Sequence, residues 1–317
     1  MVSIGFFRGG QNVARLRADR ILWVLVVTAL LPSVAGAAPT LISISSRDAT
    51  VRRVDGATGA TLDASVTISL PGHLVDGGTG LARNPITGTL FALLRVAGNT
   101  SRLLVTLNEN SGSAVLVGDT GDKFSGLAFA ADGTLYAVTG DGATDPEALC
   151  TLSTIDATSS GCFTLGNGTE GEALAFNPDD GLLYHASGIG TPDVTEIFET
   201  VDPQTQGVTN VPLSGHNYEE ITSLVFDPTD FFAADIGAAL PPDAPNLLRI
   251  STGGAVTLVG PLDHVAKGLA FPSAQVPSLG PLGLGTLAGF LVVAGSRALR
   301  ARQHPKQHRH PGLGQTG

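Results

Sequence analysis

The residues of this chain able to do chemistry gather at five points, each just ahead of a short apolar phrase. They are His73 and Asp76; Asp122 and Lys123; Glu170 and Glu172; His216, Tyr218, Glu219 and Glu220; and Asp263, His264 and Lys267. Imidazoles and carboxylates brought to one place bind a divalent cation, and such a cation polarises a substrate oxygen. Three of the four histidines between the terminal segments (73, 216 and 264) fall in these stretches. They do not share one offset from the phrase that follows, and no His-x-His or His-Glu-x-x-His spacing occurs. Exposed loops also carry His, Asp and Glu for solvation alone, so the pattern fits a metal or ligand site and a solvated surface alike. No Gly-x-Ser-x-Gly elbow, phosphate-binding loop or dinucleotide fingerprint is present.

The elements that must position these groups are set by a repeat. Gly80-Leu81-Ala82-Arg83 returns as Gly126-Leu127-Ala128-Phe129, Ala173-Leu174-Ala175-Phe176, Ser223-Leu224-Val225-Phe226 and Gly268-Leu269-Ala270-Phe271. The leucines are 46, 47, 50 and 45 residues apart. Units of ~40–50 residues made of short strands are β-propeller blades. In a propeller the loops leading into the innermost strands converge around the axis. If the Leu-Ala-Phe phrases are innermost, the five polar stretches line the channel mouth.

Turn chemistry supports four strands per unit. Asn84–Gly88 and Asn177–Gly181 run Asn, Pro, two residues and Gly, which predicts a left-handed glycine closing each turn. A second turn recurs as Asp55–Gly59, Asn108–Gly112, Asp156–Gly161 and Asp202–Gly207. Phe91, Tyr136, Tyr184 and Phe232 share one place in the second strand. They are expected to pack between blades, a ligand-stacking ring being the other option. The first unit has three strands, Leu41–Ser45, Thr50–Val54 and Ser65–Leu70, and the last has only Gly268–Phe271. Pairing the last with the first makes an all-β propeller of about five four-stranded blades over residues 39–273, with no open edge at the seam.

The repeat resembles NHL-type and related bacterial propeller repeats, best in Gly126–Val138. That resemblance implies the fold and no particular activity. The single tryptophan, Trp23, lies in the N-terminal segment, so the body lacks the indole faces on which many sugar and quinone-cofactor sites rely.

The ends read as addresses. Arg15, Arg17 and Arg20, the apolar run Ile21–Leu31 and the small residues Ala35-Gly36-Ala37 form a signal-peptide pattern over 1–37, for signal peptidase. After a linker at 274–281, residues 279–296 are uncharged and long enough to span a membrane as a helix. Arg297, Arg300 and Arg302 begin a basic tail, 297–317, expected on the cytoplasmic side. Val276-Pro277-Ser278-Leu279, the span and the arginines together resemble the PEP-CTERM class of bacterial sorting signals, in its Ile-Pro-Thr-Leu variant. The resemblance implies an exosortase-type membrane peptidase as partner. His304, His308 and His310 fit a basic, Pro-broken tail. Between 39 and 276 there are nine Lys and Arg against 27 Asp and Glu, a net charge of −18. So acidic a body repels nucleic acid.

Cys150 and Cys162 share one unit. Export favours a disulfide. If Asp156–Gly161 is the hairpin turn, however, the two lie roughly 20 Å apart along the strands, beyond the ~7 Å of a bridge, so they are expected to be free. The function expected is a non-catalytic, exported, membrane-tethered or displayed propeller with a binding or structural role and no cofactor. The alternative is a metal-dependent hydrolase of lactonase or phosphoesterase type, with a divalent cation at the channel mouth.

Overall fold

The computed structural model describes residues 39–166, 171–188, 196–216, 220–236 and 245–273. The signal pattern, the sorting box, the span and the basic tail lie outside them. Within them the chain is a five-bladed all-β propeller. The first blade contains β1 (Thr40–Ser45), β2 (Thr50–Asp55) and β3 (Val66–Thr67). The second is β4 (Val75–Arg83), β5 (Leu90–Val96), β6 (Leu103–Leu107) and β7 (Ala114–Asp119). The third is β8 (Phe124–Phe129), β9 (Leu135–Thr139), β10 (Ala148–Leu152) and β11 (Ser159–Thr164). The fourth is β12 (Gly171–Asn177), β13 (Leu182–Ser187), β14 (Ile197–Asp202) and β15 (Gly207–Asn210). The fifth holds β16 (Ser214–Gly215), β17 (Ile221–Phe226), β18 (Asp230–Asp235), β19 (Asn246–Ser251) and β20 (Ala255–Pro261). The last strand, β21 (Ala266–Ala270), returns to the first blade and pairs antiparallel with β1, Ser43 opposite Leu269. The ring therefore closes as the repeat phase predicts. Two details differ. β3 is shorter than expected. β16 adds a fifth, parallel strand at the outer edge of the fifth blade, against β20.

The five strands carrying the repeated phrase are innermost and contact one another in a ring, β4 to β8, β12, β17, β21 and back to β4. Such strands converge too closely for ordinary side chains at the residue before the leucine. A Cβ on Gly268 would lie 2.8 Å from Leu81 Cβ, and one on Gly126 would lie 3.0 Å from the Leu174 nitrogen. Side-chain hydroxyls join neighbouring inner strands. Thr79 Oγ1 donates to the Phe124 carbonyl at 3.0 Å, and Thr222 Oγ1 to that of Ala266 at 2.6 Å.

The in-register aromatics pack as structure. Phe91, Tyr184 and Phe232 are buried and Tyr136 is half-buried. The Tyr184 ring lies 4.5 Å from that of Phe231, centroid to centroid, and Phe91 meets Phe129 edge-on at 5.4 Å. Aromatic pairs at this spacing add ~0.5–1.5 kcal/mol beyond the area they bury.

The cysteine expectation is corrected. Cys150 and Cys162 form a disulfide, with Cα atoms 4.1 Å apart. The turn between β10 and β11 begins three residues earlier than expected. Ser153 N–H donates to the Thr158 carbonyl and Ala157 N–H to the Ser153 carbonyl, matching Asn108 to Ser113 and Gly112 to Asn108 one blade back. The left-handed residue is Ala157, at φ 63°, in the place of Gly112. Gly161, which looks like the closing glycine, lies within β11, and the register shifts between Leu149 and Thr151. That shift sets Cys150 beside Cys162. The fourth-blade turn behaves likewise, with Gln206 rather than Gly207 at positive φ.

In the Asn177–Gly181 turn, Gly181 has φ 77° and nothing within 4 Å of where a Cβ would stand. Any cost of substitution there is therefore backbone strain. Gly181→Val is expected to destabilise the chain by about 1–3 kcal/mol and Gly181→Asn by much less, because Asn tolerates the left-handed region. Urea denaturation midpoints check this, and equal midpoints for the two variants would contradict it.

Candidate functional site

The axis is closed midway. Leu81, Leu127, Leu174, Leu224 and Leu269 are each at most 3% exposed. The void among the first four and the residues before them is about 10 Å³, roughly the space of one water. The leucine ring thus separates two ends with different chemistry.

At the ends where the inner strands finish, the axis widens into a cup of about 360 Å³. Its wall is the repeated phrase itself, with Phe129, Phe176, Phe226 and Phe271 from four strands and Arg83 from the fifth. Phe129 is buried, while the other three rings keep part of their surface exposed. Arg83 is held in place. Its Nε donates to the Phe271 carbonyl at 2.9 Å, one terminal nitrogen to the Gly88 carbonyl at 2.7 Å, and the other to Glu109. Glu109 also accepts from the N–H and Oγ of Ser273, each at 3.0 Å. No polar residue expected at the channel mouth lines this cup.

The expected site residues sit at and beyond the opposite ends. His73 and Asp76 are exposed around the start of β4. Asp122 accepts the Thr144 N–H on both carboxylate oxygens, at 3.1 Å each, and fastens one loop to the next. Glu220 Oε1 accepts from Lys267 Nζ at 3.0 Å, an ion pair between neighbouring inner strands. Glu172 lies on β12; Glu170, Tyr218 and Glu219 fall outside the described residues. His216 stands at the outer edge of the fifth blade, its N–H donating to Val256 of β20 at 3.0 Å. The segment before β17 runs along that blade's outer strand first, so its histidine lies well away from the axis. Among the described residues, no three His, Cys, Asp or Glu side chains are grouped to hold a metal ion.

Two expected residues do meet, at the seam. His264 is buried between the fifth and first blades. Its Nε2 lies 2.7 Å from Ser43 Oγ on β1, and its Nδ1 lies 2.8 Å from Asp263 Oδ1. Asp263 Oδ1 also accepts from Thr61 at 2.9 Å. With Nδ1–H donating to the carboxylate, Nε2 accepts the serine proton. The connectivity is that of a nucleophile, a base and its orienting acid, but the exposure is reversed. Ser43 is wholly buried and Asp263 is 60% exposed. A substrate reaches the acid and not the hydroxyl, so the chain of bonds acts as a seam lock. Beside it is a cleft of about 350 Å³ lined in part by Arg47, Asp48 and Arg52, with Arg52 bidentate on Asp48 at 2.8 and 2.9 Å. Burial holds the His264 imidazole below its ordinary range, outweighing the hydrogen bond to Asp263. Partial burial pushes the Asp263 carboxyl up, but hydrogen bonds from His264 and Thr61 leave it below the usual carboxylate range.

A second histidine contact was not foreseen. His185 Nδ1 lies 3.0 Å from Glu199 Oε1, both fully buried and directly opposite on β13 and β14. The available signal was a histidine and a glutamate in mid-strand, the first between Tyr184 and Ala186 and the second directly after Phe198.

No family model matches the chain, and no curated protein does. Solved structures resemble it at low identity. A chain of the nidogen/laminin complex is 8% identical with a TM-score of 0.44, over 74% of this chain and 99% of its own. TolB from Acinetobacter baumannii is 10% identical with a TM-score of 0.47, over 70% of this chain and 53% of its own, so the likeness spans about half of that protein. The PQQ-bound aldose sugar dehydrogenase of Streptomyces coelicolor is 16% identical with a TM-score of 0.43, over 69% and 77%.

The seam lock has a pH signature. Asp263, Asp48 and Arg52 are the charged groups acting on His264. The fold accommodates the neutral imidazole, so the unfolded chain binds the extra proton more readily. Stability is complete above the ordinary histidine value of 6.5 and falls as pH drops below it. Asp48 and Asp263, both lowered, add their loss only below 3.8. Between about pH 7.5 and about pH 5.5 the denaturation midpoint is expected to fall less for His264→Asn than for the native chain. Identical slopes would contradict this.

Proposed function

We propose that this chain is an exported propeller held at the cell envelope, with a binding or structural role rather than a catalytic one. The observation that carries export is the Cys150–Cys162 disulfide in the third blade. Disulfides persist in oxidising compartments and are rare in the cytosol. The net charge of −18 on the body suits a solvent-facing module outside the cytoplasm.

In this reading residues 1–37 direct export and are removed by signal peptidase. Residues 276–302 act as one sorting unit. The segment 279–296 crosses the membrane, and Arg297, Arg300 and Arg302 hold its end in the cytoplasm, because moving several charges through hydrocarbon costs several kcal/mol. Val276–Leu279 is a Pro-containing extended segment that an exosortase-type peptidase grips. A binding role fits a body that keeps an apolar cup open at one end of the axis.

The test is fractionation of tagged variants in the native host. Deleting residues 276–317 is expected to leave export intact and shift the protein from membrane to medium. If the truncated chain distributes among membrane, periplasm and medium as the full chain does, the tail is not an address.

A further inference from the structure

We infer that the apolar cup is a docking site for a partner segment that presents one large apolar side chain flanked by lysine or arginine. The inference rests on the binding role proposed above and names the partner's chemistry. The leucine ring makes the cup blind, and its wall leaves three phenylalanine rings partly in water. A volume of about 360 Å³ is near the small end of ligand pockets. It suits one leucine, methionine or phenylalanine side chain with a little of its backbone, rather than a whole helix face.

The charges around the cup decide what flanks that side chain. The turns that continue from its wall carry Asp132, Asp179 and Asp180, all exposed. The hydrogen bonds of Asp132 and Asp180 go to neutral groups, the Thr134 N–H for the first, and Asn177, Tyr184 and the Leu182 N–H for the second. Among the described residues the cations at this end lie over the other blades, and Arg53, level with Ala270 of the cup wall, donates to the neutral Asn110 side chain at the second-blade turn. Arg83 is bound by Glu109 and two carbonyls, and Arg249 by Asp227 at 2.7 Å and Asp230 at 3.6 Å. The uncompensated charge is therefore negative and lies over the third and fourth blades. An acidic flank is repelled there, and a basic flank is attracted and steered in. The partner's cations should lie toward Asp132 and Asp179, with its apolar anchor on the axis.

The test uses the full chain reconstituted in phosphatidylcholine nanodiscs, and fluorescence anisotropy of labelled nine-residue peptides. The probe carries one leucine between two pairs of arginines, with glycine and serine elsewhere. It is expected to bind, and more weakly as salt rises. Replacing its leucine by alanine should weaken binding roughly tenfold or more, since the anchor supplies the buried apolar area. Replacing its arginines by glutamate should abolish binding. In the protein, Ala131→Trp fills the cup from an exposed position and should remove binding without moving the melting temperature. Asp179→Lys should weaken binding and flatten the salt dependence.

Equal binding of the leucine and alanine probes would overturn the proposal, because it would show non-specific charge attraction. Unchanged binding to Ala131→Trp would overturn it by placing the site elsewhere. If a peptide of residues 279–302 occupies the cup and the leucine probe does not, the cup is a seat for the chain's own tail and the partner is excluded. Failure of every probe alongside tail-dependent fractionation leaves envelope display standing and removes only this occupant.

Discussion

Five strands crowd one axis, and most of the molecule follows from that crowding. At the residue before each axial leucine there is room only for a glycine or a small side chain, namely Gly80, Gly126, Ala173, Ser223 and Gly268. A Cβ on Gly80 would come within 3.0 Å of the Ser125 carbonyl. The next residue then points its leucine at four others, and the axis becomes a narrow plug with about 10 Å³ of free space. The phenylalanines two residues further on splay outward, because the strands diverge as they leave the plug. The same four-residue phrase thus encodes close approach, closure and an apolar cup. The repeat is best understood as a packing constraint with a binding surface at its exit.

The ring is only as sound as its seam. β21 supplies the innermost strand of the blade that the N-terminal strands begin, so the first and last parts of the body share one sheet. Polar contacts reinforce that join at both ends. At one end the Ser43–His264–Asp263–Thr61 chain links β1 to the segment before β21 and to the residues after β2. At the other, Arg83 holds the Phe271 carbonyl and Glu109 holds Ser273. Buried polar groups are costly when unpaired and specific when satisfied. Placing them at the seam favours this closure over a slipped register.

The architecture was legible because its signals are periodic. Leucine spacing gave the blades, and the phase of the first and last units gave the closure. The turns were legible where Asn and Gly mark them, as at Asn84–Gly88 and Asn177–Gly181. They misled where the left-handed position is filled by another residue. Ala157 and Gln206 occupy it in two blades, and Gly161 drew attention away from the true turn, so the disulfide was missed. The site was much less legible. Ser43 and His264 are 221 residues apart and meet only because the ring closes. A polar residue in a strand buried on both faces, as Ser43 and Ser45 are, is the one local hint. His216 shared a sequence position with the axial loops, yet β16 carries it to the outer edge. Position relative to a repeat fixes which strand a residue precedes; it does not fix where a long connection travels first.

The central claim is that contact between inner strands at the glycine–leucine step holds the ring together, and Gly268 tests it most directly. It lies on the closing strand, with Leu81 and Ile44 closest to where a Cβ would stand. Gly253, in an outer turn with only Ser251 Oγ nearby at 3.8 Å, is the control. The measurement is the urea denaturation midpoint of the full chain carrying Gly268→Val or Gly253→Val. The account predicts that Gly268→Val lowers stability by about 1–3 kcal/mol or more through overpacking, while Gly253→Val changes it little. Equal midpoints for the two variants would contradict it, because closure would then not depend on how closely the inner strands approach.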